Sequence, residues 1–319
     1  MSKIGLKSLT AAGVLLLVSA ASATAADLAV SPRMPMKALP MMPLSANPIL
    51  YVNNQLSLDA IGQHFDDLQT GRMNTATDPI GPTVGEKGWL PGIQFTGSAM
   101  GNLGALTNVY VMGQFTWAKG DTTYTGSLCV PYLGKVTCGP YGSNVHTDHG
   151  DTKDFDFRLG KGFEVGPNWM FTPYFGAGYH GYDNFLPGKY GYNEKVDHGY
   201  AGGGLLIQWA PTNQWVLSAN GLVGSTFSAK YTISQTPGGA VFPMGTNTLG
   251  SKVMWKAGLS SDYALTPQWH LNAGIDYTEF NYGLSSAANA AVTQRTSRTD
   301  IWTAKAGFGY SFYQPASRY

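Results

Sequence analysis

The chain has 319 residues and a formal net charge of +1, and only 12% of its residues are charged, whereas 13% are aromatic and 41 are glycine. Ordinary soluble domains carry about 25% charged residues, so this composition argues against a soluble globular protein of this size. No basic cluster accompanies the near-neutral charge, which argues against a nucleic acid as partner.

The N-terminus has the three parts of a secretory signal peptide. Lys3 and Lys7 form its positive region, residues 11–18 form a short apolar stretch, and Ala23-Thr24-Ala25 is a small-residue cleavage site. The apolar stretch is too short to cross a bilayer as a helix, and no later run approaches the roughly 20 apolar residues that such a helix needs. We therefore predict a signal peptide over residues 1–25 and a mature chain without a helical membrane anchor.

The next segment, residues 26–48, is rich in proline and methionine. Prolines at positions 32, 35, 40, 43 and 48 disfavour helix and sheet, so an extended linker on the periplasmic side is predicted. Its methionines are soft ligands that suit cuprous ions. Exposed methionines in an extended segment need no ligand to explain them, and we predict neither a metal nor a cofactor.

Period-two alternation of apolar and polar residues characterises the region 49–319. In its last such segment, Trp302, Phe308 and Phe312 fall on one face and Lys305 falls on the other. A strand of a membrane barrel is apolar toward lipid and polar toward the lumen, and 9 to 11 residues suffice to cross. An all-β fold is therefore predicted, a transmembrane up-and-down antiparallel β-barrel of about ten strands, with eight strands plus an extra hairpin as the alternative. The predicted strands are 50–64, 88–101, 108–118, 153–165, 169–185, 199–210, 215–231, 251–264, 269–282 and 299–312.

The connections between these strands alternate in length. Short turns are predicted at 102–107, 166–168, 211–214 and 266–268, and long polar loops at 66–87, 119–152, 186–198, 232–250 and 283–298. Outer-membrane barrels have short turns on the periplasmic side and long loops outside. The pattern predicts a location in the outer membrane of a Gram-negative bacterium, with both termini in the periplasm.

Tryptophans mark both ends of the predicted strands. An amphipathic ring favours the bilayer interface, so the tryptophans are predicted to form two aromatic belts. The predicted belt residues are Trp169, Trp209, Trp215 and Trp269 beside the short turns, and Trp89, Trp117 and Trp302 beside the long loops.

Charged residues occupy the polar faces of the strands. Inside a barrel they are tolerated, whereas a lysine or arginine against lipid at the midplane costs about 2–4 kcal/mol. They form either a structural network of paired charges or the lining of a narrow pore, because ten strands enclose more space than eight. The candidates are Asp154, Asp156, Arg158, Glu164, His180, Lys230, Lys252, Lys256, Asp262, Asp276 and Lys305.

Cys129 and Cys138 are the two cysteines of the chain. In an oxidising compartment they are predicted to close one small disulfide loop. A metal pair is the competing interpretation, and no further cysteine or histidine at ligand spacing favours it.

No motif of a known catalytic type occurs, neither a Gly-x-Ser-x-Gly elbow, nor a phosphate loop, nor a His-Glu-x-x-His helix. The predicted outer loops carry His146, Asp148, His149 and Asp151, and also Asp197 with His198. A carboxylate beside an imidazole suits general-base chemistry or a transition metal. Such residues in polar loops are usually solvated, so no catalytic residue is predicted and the chain is expected not to be an enzyme.

Several segments resemble small alphaproteobacterial outer-membrane barrel proteins of the porin or opacity-protein type. They are Ala26-Asp27-Leu28 with the Pro/Met-rich spacer, 160–163, 171–179 and the 308–312 terminus. The resemblance implies that the barrel-assembly machinery reads the last strand, with Phe308, Tyr310 and Phe312 as the signal and Tyr319 as the alternative. The chain departs from the family pattern at 50–54, which lacks the usual aromatic-glycine motif, and in continuing past Phe312.

The chain also resembles the outer-membrane proteases of the omptin type, in strand number and in rim Asp and His residues. Their paired acidic motif and Asp-x-His motif are missing at matching positions, so no catalytic residue is carried over.

A rigid scaffold with long loops favours contacts through those loops. We expect a monomeric envelope-structural or adhesin-like surface-interaction protein. The alternatives are a narrow channel for ions or small polar solutes and an omptin-like surface hydrolase. The expected partners are outer-membrane lipid and lipopolysaccharide, the barrel-assembly machinery, and a surface ligand or small solutes.

Overall fold

The computed structural model describes residues 47–70, 84–127, 129–132, 135–185, 192–235, 245–285 and 296–314. The predicted signal peptide, almost all of the predicted linker and Tyr319 lie outside these residues. Within the described ranges, no helix has the length and apolar character needed to cross a bilayer. The elements are α1 (Pro48–Val52), β1 (Gln55–Thr70), β2 (Val84–Leu103), β3 (Leu106–Gly126), β4 (Cys129–Tyr132), β5 (Lys135–Cys138), β6 (Asn144–Lys161), β7 (Phe163–Glu164), β8 (Trp169–Phe185), β9 (Tyr192–Trp209), β10 (Trp215–Gln235), β11 (Gly245–Gly250), β12 (Val253–Ala264), β13 (Trp269–Ser285) and β14 (Thr296–Ser311).

Ten antiparallel strands form a closed ring in the order β1-β2-β3-β6-β8-β9-β10-β12-β13-β14. β14 pairs back onto β1 from Ser311 opposite Gln55 to Thr296 opposite Thr70, so the ring has no open edge. β7 and β11 extend the walls beside β8 and β10, and β4 and β5 form a separate two-stranded ribbon. The predicted ten-stranded up-and-down barrel is confirmed.

The two faces of the barrel wall differ as the alternation predicts. Large apolar side chains point outward and are exposed, and the inward positions are mostly polar or aromatic and buried. The outward set includes Leu58, Phe95, Val111, Phe115, Phe155, Leu159, Phe175, Leu205, Val223, Leu259, Ile275 and Phe308. The apolar exterior matches a hydrocarbon environment, whereas a soluble sheet would bury that face.

Several strands extend further toward the long loops than the alternation indicates. β3 ends at Gly126, whereas the pattern ends at residue 118, and β6 begins at Asn144, whereas the pattern begins at residue 153. β9 likewise begins at Tyr192. Outward positions in these extensions face water, so the apolar-polar contrast that identifies a membrane strand disappears there. Much of the predicted loop sequence is therefore strand.

A bulge in β10 changes which residues face inward. The pairing with β9 shifts between Phe227 and Lys230, and Ser228 has a left-handed backbone with φ 53°. An extra residue in one strand inverts the period-two alternation beyond it. Consequently Ala229 and Tyr231 are buried in the lumen, and Lys230 is exposed on the outer surface. The prediction that Lys230 points inward is wrong for this reason.

The predicted first strand, 50–64, begins too early. Residues 48–52 form the short helix α1, whose N-cap is Asn47 and whose first residue is Pro48. The Asn47 Oδ1 atom accepts a hydrogen bond from the Ile49 backbone N–H over 3.0 Å, and proline has no N–H to leave unpaired at this position. Ile49 and Tyr51 are buried.

Candidate functional site

The helix α1 closes the short-turn end of the lumen. The Asn53 side chain after the helix exchanges two hydrogen bonds with the Gln208 amide on β9, over 2.8 and 3.0 Å. On the other wall, Ser311 Oγ donates to the Tyr51 carbonyl over 2.9 Å. These contacts join α1 to strands on opposite sides of the ring, so α1 is part of the barrel interior.

Four close pairs of a carboxylate with a cation or an imidazole lie on the lumen face of the barrel, and one of them, Lys256 with Asp156, joins strands that are not neighbours. Lys256 Nζ lies 2.6 Å from an Asp156 oxygen and also donates to Tyr200 Oη over 2.6 Å. Lys305 Nζ lies 2.6 Å from Asp276. The two imidazole pairs are His180 with Asp154 at 2.6 Å and His270 with Asp262 at 2.5 Å.

Beside these pairs lies a polar chamber with a volume of about 180 Å³. Its walls come from most strands of the ring, and Val52, the last residue of α1, and Asn53 after it also line the chamber. Among the described residues, some of the side-chain atoms that line the chamber are buried without a hydrogen-bond partner. They are Gln55 Oε1, Asp59 Oδ1, Asp156 Oδ1, Arg158 Nε and Asn272 Oδ1.

Inward-facing glycines make space for the polar side chains of this chamber. A Cβ atom at Gly307 would overlap Asp59, and one at Gly258 would overlap Asp276. Across the lumen, the ring of Tyr174 lies over Gly204, and its hydroxyl donates to the Gly221 carbonyl over 3.1 Å. The charged groups therefore sit against bare backbone, which holds them in place.

Aromatic rings and histidines form a layer on the long-loop side of the chamber. Phe280 lies 4.7 Å from the His180 ring and 4.5 Å from the His198 ring, and it is fully buried. Phe65 stacks on Tyr182 with ring centroids 4.1 Å apart. The rings come from β1, β8, β9 and β13 and pack against one another inside the lumen on this side of the chamber.

A layer of buried carboxylates follows nearer the long loops. Glu86 accepts hydrogen bonds from Thr122 and Tyr182, and Gln69 Nε2 donates to both Asp67 and Glu194, over 2.9 and 3.0 Å. All of these side chains are buried. Tyr182 belongs to the predicted strand 169–185, but the other five lie in segments that the sequence analysis assigns to loops. Only an extension of the alternation beyond the predicted strand ends would have placed them in the lumen.

The predicted lumen residues do not all meet. Eight of them line the interior: Asp154, Asp156, Arg158, His180, Lys256, Asp262, Asp276 and Lys305. Glu164 is exposed at the short-turn end and accepts a hydrogen bond from Asn108 over 3.2 Å. Lys252 is exposed at the break between β11 and β12, and Lys230 is outward because of the bulge. The last three residues therefore form no part of the lumen cluster.

Two aromatic belts surround the barrel. At the short-turn end, Trp169 and Trp209 stack at 5.5 Å and Trp269 packs edge-on against Tyr310 at 5.2 Å. Toward the long loops, the Tyr277 ring lies 4.6 Å from Trp255 and 4.7 Å from Trp302. The remaining predicted belt residues, Trp89, Trp117 and Trp215, are also exposed. Trp255, which the sequence leaves unassigned, lies in the outer belt.

The rim histidines and carboxylates form two close pairs. His149 and Asp121 are paired at 2.7 Å on the exposed outer face, and His146 Nε2 lies 3.2 Å from buried Asp148. Asp197 and His198 are consecutive in β9, so their side chains lie on opposite faces of the wall, with His198 buried in the lumen. In the described ranges, no group of three potential ligands is arranged to hold a metal ion.

The ribbon and the last strand carry two further predicted features. The backbone register makes Cys129 the partner of Cys138 across β4 and β5. Their disulfide stays a prediction, because the side chains of 128–138 lie outside the described residues. Phe308, Tyr310 and Phe312 are exposed on the outer face of the last strand.

Comparisons with known proteins agree with this architecture. No protein-family model matches the chain, and no curated protein matches it in sequence. Among solved structures, the outer membrane protease OmpT from Escherichia coli matches with a TM-score of 0.51 and 10% identity, over 82% of this chain and 97% of that chain. The outer membrane protein OprG from Pseudomonas aeruginosa matches with a TM-score of 0.32 and 12% identity, over 82% of this chain and 99% of that chain. At such identity the likeness to OmpT establishes the fold alone, which is that of an outer-membrane β-barrel.

Proposed function

We propose that this protein is a closed outer-membrane barrel that acts at the cell surface through its long-loop end, as a surface-interaction or envelope-structural protein. The observation that carries this proposal is the packing of buried side chains on both sides of the mid-lumen chamber. The helix α1 occupies one end, and the aromatic layer around Phe280 and the buried carboxylates occupy the other. A barrel closed at two levels suits a scaffold better than a pore.

The β3–β6 hairpin supports a role outside the membrane. Beyond Trp117 of the outer belt, β3 continues from Ala118 to Gly126, which at roughly 3.4 Å per residue is about 30 Å of strand. Its outward residues there are Lys119, Asp121, Thr123 and Thr125, which suit water and not lipid. The hairpin is therefore a rigid, paired platform that carries the Cys129–Cys138 ribbon.

The same proposal covers membrane insertion. We infer a monomer of the small porin or opacity-protein type that the sequence resembles, with lipid and lipopolysaccharide around its aromatic belts. Phe308, Tyr310 and Phe312 face outward at the strand that closes the ring, and this supports their role as the signal read by the barrel-assembly machinery.

Conductance tests the closed lumen. The refolded mature protein in a planar bilayer is expected to show no discrete current steps, because both closing layers must move before ions pass. Heat-modifiable gel mobility confirms folding of the same sample, and an open porin serves as the positive control. Regular ohmic steps from folded protein would disprove the closed scaffold and favour a narrow channel, which the polar mid-lumen chamber would then line.

Shortening the hairpin tests the surface role. Gly126 and Asn144 are register partners, so an Asn-Gly turn that replaces residues 127–143 is compatible with the remaining pairing. Cells that display this variant are expected to lose most autoaggregation or adhesion to a host-cell layer, while the amount of folded barrel is unchanged. As a matched control, residues 237–243 are replaced by the same turn. Equal adhesion by wild type and the 127–143 variant would exclude this hairpin as the contact surface.

A further inference from the structure

We infer that the mid-lumen chamber is a binding site for a small zwitterion that carries one ammonium and one carboxylate group. This inference is independent of the surface role, because it concerns groups inside the barrel. The chamber, at about 180 Å³, is smaller than the roughly 300 Å³ that a drug-sized ligand needs. Only a compact solute fits.

The charges that line the chamber fall into two classes. Four carboxylates each have a cationic or imidazole partner within 2.6 Å, namely Asp154, Asp156, Asp262 and Asp276. Asp59 and Arg158 also line the chamber, and each has one buried side-chain atom without a hydrogen-bond partner among the described residues, Oδ1 of Asp59 and Nε of Arg158. One acidic and one basic group in the same cavity can therefore each form a further bond with a ligand.

Arg158 is the positive pole of the proposed site, the group to which the carboxylate of the ligand would bind. Its guanidinium lies 5.0 Å from the centre of the Tyr174 ring, and its buried Nε atom has no acceptor among the described residues. A guanidinium has five N–H donors in a planar fork, a geometry that matches a carboxylate. Leaving buried donors of a charged group without acceptors is costly, so a carboxylate from a ligand would be favoured here.

Asp59 is the negative pole of the proposed site, the group to which the ammonium of the ligand would bind. It is 3% exposed, its Oδ1 atom has no donor, and it lies against Gly307 of β14. Gly307 pairs with Asn272 of β13, whose Oδ1 atom is also without a donor. Asp59 and Asn272 flank Gly307 from the two neighbouring strands, so their free oxygens offer two acceptors to the N–H donors of a primary ammonium group. Gln55 lies against Gly309, two residues further along β14, and has another unpaired oxygen.

The two poles lie apart on the barrel wall. Asp59 is on β1 and Arg158 is on β6, with β2 and β3 between them. Both residues line the same chamber from different parts of its wall, so a ligand that contacts both would bridge them. A metal ion fits less well, since no three of the described acidic or imidazole side chains converge on one point.

Binding to the refolded protein tests this inference. The protein is refolded in the presence of glycine, β-alanine or γ-aminobutyrate, which loads the closed lumen, and the midpoint of thermal unfolding is measured by heat-modifiable mobility. At least one zwitterion is expected to raise the midpoint in a saturable manner. Ethylammonium and propionate, each with one of the two charges, are expected to have at least tenfold lower affinity.

Substitutions at the two poles provide the second measurement. Asp59→Asn and Arg158→Gln are each expected to weaken zwitterion binding at least tenfold, whereas Asp66→Asn and Arg298→Gln on the outer surface leave it unchanged. The inference is overturned if no zwitterion stabilises the wild-type protein, or if propionate alone binds as tightly. Undiminished affinity in both pole variants would also overturn it. The wild-type comparison decides the question even where a pole variant fails to fold.

Discussion

Replacing Lys256 with methionine will lower the free energy of unfolding by about 3–5 kcal/mol, because the change leaves a buried carboxylate without its cation. The side chains of Lys256 and Asp156 are 11% and 4% exposed, and their charged atoms are 2.6 Å apart. Urea unfolding of the barrel in lipid vesicles, followed by tryptophan fluorescence and gel mobility, gives the measurement.

An exposed ion pair provides the matched control. Lys87 and Asp66 are paired at 2.7 Å on the outer surface, with side-chain exposures of 63% and 30%. The Lys87→Met change is expected to lower the free energy of unfolding by less than about 1 kcal/mol, because solvent screens an exposed pair and hydrates Asp66 when its partner is removed. Equal losses in the two variants would show that the Lys256 pair is hydrated and that the lumen is more open than the packing indicates.

The double variant separates pairing from desolvation. Asp156→Leu alone leaves a buried cation, so we expect it to be as damaging as Lys256→Met. Replacing both residues removes both charges together, and a buried pair exchanged for apolar residues is often close to neutral in stability. The double variant is therefore expected to be more stable than either single variant, and the non-additivity measures the interaction.

The sequence predicts the membrane part of this barrel well, for a physical reason. Between the two aromatic belts, every second side chain faces hydrocarbon and must be apolar, as Val111, Phe115, Leu259 and Ile275 are. That requirement repeats at period two in each strand, so strand number and facing can be inferred without a structure.

Beyond the belts this requirement ends. In β3, the outward Lys119 and Asp121 face water, and the inward Thr122 faces the lumen, so polar residues occur on both faces. The pattern then has no contrast and resembles a loop. This explains why the buried Glu86 and Glu194 were assigned to loops, although they belong to the interior.

The alternation pattern also does not reveal local departures from regular strand geometry. The signal for α1 is Asn47 followed by Pro48, a pair that favours a helix start, but the apolar Ile-Leu-Tyr-Val sequence that follows equally suits a strand. The bulge at Ser228 has no glycine at its positive-φ position to mark it. The bulge inverts the alternation of inward and outward residues in the rest of β10. The alternation rule therefore predicts the wrong face for Lys230, although it holds in the regular part of the strand.

The pairing of the lumen charges is harder to predict from the sequence than their inward position. Lys256 and Asp156 are 100 residues apart and belong to β12 and β6, which are not neighbours in the ring. Which inward groups meet depends on the stagger of the strands around the closed barrel, and this stagger is a property of the whole ring. The sequence therefore predicts which charges enter the lumen more readily than which of them pair.

A charged residue on the outer wall should destabilise the barrel most where the wall meets the middle of the bilayer. Leu259 of β12 is 62% exposed and lies midway between Trp255 of the outer belt and Tyr263, which packs against Trp215 near the short turns. Replacing Leu259 with arginine is expected to cost about 2–4 kcal/mol, because a guanidinium at the midplane of the hydrocarbon loses its hydration.

Leu103 gives the matched comparison for this substitution. It is 69% exposed, yet it lies at the turn between β2 and β3, outside the inner belt. Leu103→Arg is expected to cost about 0–1 kcal/mol, since an arginine at the interface keeps its contact with water and headgroups. Urea unfolding in vesicles of one lipid composition measures both variants. A similar cost at both positions would mean that the belts do not mark the bilayer interfaces and that the apolar wall between them covers something other than lipid.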